Sequence, residues 1–91
     1  MDIENLYHQA RQVAAAEGLT NEDVALQGLN PGDPLEFITG VGNHIFLVYS
    51  RQKPLKADSW AKMPAFTRKW YLAATDTLSE FYNPDGSAKP H

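Results

Sequence analysis

Ninety-one residues supply one hydrophobic core at most, because domains need about 50 residues or more and so short a chain cannot fill a second core. At 43 % apolar, 21 % charged and 11 % aromatic, the composition is that of an ordinary globular protein and excludes a disordered or fibrous chain. The absence of cysteine excludes disulfides, thiolate metal sites and cysteine nucleophiles, and a net charge of −3 is not the balance of a dedicated nucleic-acid binder.

Along Asp2–Glu17 the apolar residues Ile3, Leu6, Tyr7, Ala10, Val13 and Ala14 recur at three- and four-residue steps, which predicts a helix stopped by Gly18. Thr20 and Asp23 form a short capping box, so a second helix is expected from Asn21 to Leu26 or Gln27. The turn-rich stretch 28–34 ends it. Leu35–Thr39 and His44–Ser50 are β-branched and aromatic runs on either side of Gly40-Val41-Gly42-Asn43, a pattern that predicts an antiparallel β-hairpin. The second of these strands is apolar on both faces and should be sandwiched or should pair with another chain.

After the loop 51–56, Asp58 or Ser59 caps a turn at Trp60, and Pro64 suits the first position of a long C-terminal helix running to Tyr82. Its apolar stripe is Phe66, Trp70, Tyr71, Ala73, Ala74, Leu78 and Phe81. The expected class is therefore α+β: two N-terminal helices, a central hairpin, and a short turn plus long helix packed on it. Residues 1–82 form that domain and 83–91 a flexible tail.

Charge is divided along the chain. Residues 1–36 hold seven acids and Arg11, residues 37–50 carry no formal charge, and residues 51–70 hold six bases and Asp58. Such segregation marks either a binding face or two ends of one domain that attract each other. The opening Met1-Asp2-Ile3-Glu4-Asn5 lacks the basic and apolar regions of a secretory signal, and no apolar run approaches membrane-spanning length. The expectation is a cytoplasmic protein without membrane contact.

No catalytic constellation is visible. His8, His44 and His91 have no metal-ligand spacing, and Ser50, Ser59, Ser79 and Ser87 have no nucleophile elbow around them. Glu22 and Asp23 are adjacent and point apart on a helix. Gly40-Val41-Gly42 lacks the third glycine or Gly-Lys-Ser/Thr of a phosphate loop and leads into an apolar run instead of a helix start. A small enzyme would need His44 and a carboxylate such as Glu36 or Asp33 in a pocket, which so small a chain forms more easily at a dimer interface. No cofactor and no metal is expected.

The basic block with interleaved aromatics is the most suggestive feature, since Arg51, Lys53, Lys56, Lys62, Arg68 and Lys69 could meet phosphates while Trp60, Trp70 and Tyr71 stack on bases. Trp60-Ala61-Lys62-Met63-Pro64-Ala65-Phe66-Thr67-Arg68-Lys69-Trp70, with its capped Trp, Met-Pro, and Arg and Trp at helical spacing, resembles the C-terminal helix of many small phage and prophage proteins. That resemblance implies an accessory protein that binds a host bacterial component, such as an anti-defence inhibitor. The function expected is non-catalytic binding of another protein through Tyr49, Arg51, Lys53, Lys56, Trp60, Lys62 and Arg68. The alternative is a nucleic-acid-binding accessory protein that uses residues 51–70, and pairing of the apolar strand admits a homodimer.

Overall fold

The computed structural model describes residues 3–49 and 62–78, and every regular element among them is a helix. These are α1 (Ile3–Glu17), α2 (Asn21–Ala25), α3 (Pro34–Tyr49) and α4 (Ala65–Leu78). The expected α+β class is thus corrected to mainly α, because the predicted hairpin is the single helix α3. No described helix is long and apolar enough to cross a membrane.

The first two helices follow their sequence signals. On α1, Leu6, Ala10, Val13 and Ala14 are buried and Ile3 and Tyr7 pack at the edge of the core. Gly18 turns left-handed (φ 72°), and the Leu19 N–H donates to Ala14 O at 2.8 Å, the closure that a glycine-terminated helix makes. Thr20 caps α2: its hydroxyl accepts from the Asp23 N–H at 3.2 Å, while an Asp23 oxygen accepts from the Thr20 N–H at 2.9 Å.

Helix α3 departs from expectation for reasons that its residues display. Asp33 caps its start, with Oδ1 accepting from the N–H groups of Leu35 (2.9 Å) and Glu36 (3.2 Å), and Pro34 occupies the first turn, where its missing N–H costs nothing. Phe37, Ile38, Val41 and Ile45 are all buried, and steps of one, three and four residues put them on one face of a helix. A strand would have sent Phe37 and Ile38 to opposite faces. Neither Gly40 nor Gly42 adopts a positive φ, so the expected turn between strands is two ordinary helical positions.

The C-terminal helix begins at Ala65, one residue after the expected start at Pro64, whose carbonyl accepts from the Arg68 N–H at 3.0 Å. Its buried face is rotated relative to the predicted stripe. Thr67, Trp70 and Ala74 face inward with Met63 just ahead of the helix, whereas Phe66 is 46 % exposed. The predicted turn at Trp60, the end of the helix beyond 78 and the tail 83–91 lie outside the described residues.

Helices α1, α3 and α4 pack against one another around this core, and α2 leans on α3. Tyr7 meets the ring of Phe37 edge-on at 5.5 Å near the starts of α1 and α3, and the Tyr49 hydroxyl donates to Glu17 Oε1 at 2.7 Å near their ends. The two helices therefore run in the same direction, with α2 in the connection that returns the chain. Trp70 fastens α4 to α1, its Nε1–H donating to Leu6 O at 2.9 Å in the buried core.

Candidate functional site

Between α2 and the C-terminal half of α3 lies an open groove of about 410 Å³. Leu19, Asp23 and Gln27 form one wall, and Asn43, His44, Phe46 and Leu47 form the other. Asn43 and Leu47 are four apart and share one face of α3, while Asp23 on α2 and Gln27 in the turn after it make the opposite wall.

The groove is held at a fixed width. A Cβ on Gly40 would come within 2.9 Å of Val24 Cγ1 and 3.2 Å of Val24 Cγ2, so only a glycine lets α2 approach α3 this closely. Gln27 then bridges the two elements, donating from Nε2 to Gly40 O at 3.1 Å and accepting at Oε1 from Asn43 Nδ2 at 3.1 Å. Chain reversal after α2 is helped by Gly28, at φ 82°.

The walls carry one carboxylate, Asp23, and one imidazole, His44. The Thr20 backbone and hydroxyl bonds to Asp23 hold its carboxyl below the usual range, with a smaller contribution from nearby His44, against a slight upward push from burial. Asp23 is therefore a fixed negative charge on the groove wall. Arg11 is turned away from it. Its guanidinium donates to the Tyr7 hydroxyl from Nε (3.0 Å) and Nη2 (2.7 Å) and to Asn21 Oδ1 from Nη1 (2.8 Å), and it lies 4.3 Å from the centre of the Phe37 ring. Asn21 and Asp23, two residues apart on α2, point to opposite sides of that helix.

The residues singled out by sequence are distributed unevenly. Tyr49 is at the end of α3 with its hydroxyl directed at Glu17, which, together with burial, pushes its pKa up to about 12. Lys62 and Lys69 are exposed, Arg68 is half-buried with neighbours of its own, and Trp70 is in the core, unable to stack on a base. Arg51, Lys53, Lys56 and Trp60 lie outside the described residues.

His44 is not brought to Glu36 or Asp33. Asp33 caps α3 and Glu36 Oε1 accepts from the Asn30 N–H at 3.2 Å, about 12 Å along the helix axis from His44. Among the described residues no three His, Asp or Glu side chains gather as a metal would require. The groove residues were missed because their proximity depends on α2 docking on α3; the local signals were the Gly40 position and the exposed apolar Leu47.

Compared with known protein families, curated proteins and solved structures, the chain shows no match.

Proposed function

We propose that the chain is a non-catalytic interaction protein that binds another protein in the groove between α2 and α3. The observation that carries this reading is apolar surface left uncovered where the groove opens. Leu47 on its wall is 57 % exposed, and Leu26, one residue before Gln27, is 79 % exposed. A large exposed apolar side chain such as Leu47 on the wall of a concave surface with fixed polar groups is the usual material of a binding site. The Gln27–Asn43 amide pair supplies such polar groups: Asn43 uses Nδ2 within the protein and presents its amide oxygen for a bound backbone.

The test is affinity capture from a bacterial lysate with the full chain and with a Leu26→Ser, Leu47→Ser double variant. Both side chains are largely in water, so the variant should melt within about 8 °C of the wild type, the shift expected for up to about 0.5 kcal/mol at each of two surface sites. The expected result is a protein retained by the wild type and lost by the folded variant. Equal retention by both overturns the reading.

A further inference from the structure

We infer that the groove takes a basic amphipathic segment of a partner protein, one that seats an apolar side chain against Leu19 and Leu47 and sets lysine or arginine beside Asp23. This inference rests on the protein-binding reading and adds the chemistry of the partner. Three observations carry it. Asp23 is the carboxylate on the groove wall, and the capping box with Thr20 fixes its position and keeps it charged. Exposed Glu22 precedes it on α2, pointing away from the groove but adding to the negative potential around it. The one lysine or arginine of residues 1–50, Arg11, is committed to Tyr7, Asn21 and Phe37 on the far side of α2, so it does not neutralise that charge.

The groove's dimensions agree with such an occupant. About 410 Å³ accommodates an anchoring side chain and its neighbours, and an open trough that sets Leu19, Phe46 and Leu47 beside a carboxylate suits recognition of a helix by its apolar face and flanking charges. Complementary charge at the rim selects the partner and speeds encounter more than it adds affinity. The signature is thus a preference by charge that weakens with salt.

Three synthetic amphipathic peptides with identical leucine positions, carrying lysine, glutamate or glutamine at the polar positions, test this against the isotope-labelled full chain by nuclear magnetic resonance. The lysine peptide should shift the Asn43, His44 and Leu47 amides and bind at least tenfold more tightly than the glutamate peptide at low salt. Raising the salt should narrow the difference. Asp23→Asn should weaken the lysine peptide by about three- to fivefold, the scale of one exposed charge pair. Glu22→Gln leaves the capping box intact and should lower the same preference by a smaller factor, which covers the case in which Asp23→Asn unsettles α2. Equal binding of all three peptides at the groove overturns the basic partner and leaves the protein-binding reading standing. If no peptide moves the groove amides, both fail.

Discussion

The two halves of α3 are built for different ends. From Pro34 to Val41 the helix is capped by Asp33, buries Phe37, Ile38 and Val41, and lies so close to α2 that Gly40 has no room for a methyl group. From Gly42 to Tyr49 only Ile45 is fully buried, Leu47 and Val48 are more than half exposed, and Gly42 faces open space. One continuous helix thus joins a packed half to an exposed one. The side chains that face the groove inherit their positions from packing a turn or two away, so rigidity at the first half serves precision at the second.

Substituting the two glycines separates those halves, because alanine is the better helix former at both positions and only the surroundings differ. At Gly40 the new methyl meets Val24, a β-branched side chain that is itself fully buried and stiff about χ1. Overpacking of this kind costs typically 1–3 kcal/mol; against a buried, stiff side chain at 2.9 Å it falls in the upper part, about 2–3, and the propensity gain of about 1 kcal/mol offsets part of it. Gly40→Ala should therefore lower stability by about 1–2 kcal/mol, or roughly 5–15 °C in melting temperature. It should also push α2 outward and weaken the Gln27 bond to Gly40 O. An unchanged melting temperature would show that α2 does not dock as closely as Val24 and Gly40 indicate.

The next effect tests how the outer half is tied down. Tyr49→Phe removes the bond to Glu17 and should cost about 1 kcal/mol in neutral solution. The pH dependence has a definite sign. The folded pKa of Tyr49, about 12, lies above the ordinary 10, so its contribution is complete below pH 10 and is lost as pH rises through 12. Melting curves of wild type and variant should differ at pH 8 and converge between pH 10 and 12. A difference that stays constant over that window would show that the hydroxyl's bond to Glu17 is not its source.

Much of the first half of the chain was legible because its signals are local. The stripe of Leu6, Ala10 and Val13, the Gly18 stop and the Thr20–Asp23 box each act within a turn or two. Helix α3 was misread because Ile38, Thr39, Ile45, Phe46, Val48 and Tyr49 have strand-forming composition and two glycines interrupt them. Burial overrode that propensity, since Phe37, Ile38, Val41 and Ile45 gain more from one shared core than their β-branching costs. The sequence Asp33-Pro34-Leu35-Glu36 carried the contrary signal, an N-cap followed by proline in the first turn. Site residues were harder to read, because the groove exists only once residues 19–27 and 43–47 are brought together by the fold.

Gly42→Ala provides the smallest expected effect and the one of opposite sign. No atom lies within 4 Å of the place its Cβ would take, and its backbone is helical. The methyl group meets no obstacle, while the unfolded chain loses conformational freedom, so stability should rise by about 0.5–1 kcal/mol. That gain should appear as a higher melting temperature with the groove amides unmoved. Together with a loss at Gly40, it would place the boundary between the packed and the exposed half within two residues of one helix. A loss at Gly42 as large as that at Gly40 would mean that the outer half is packed as tightly as the inner one.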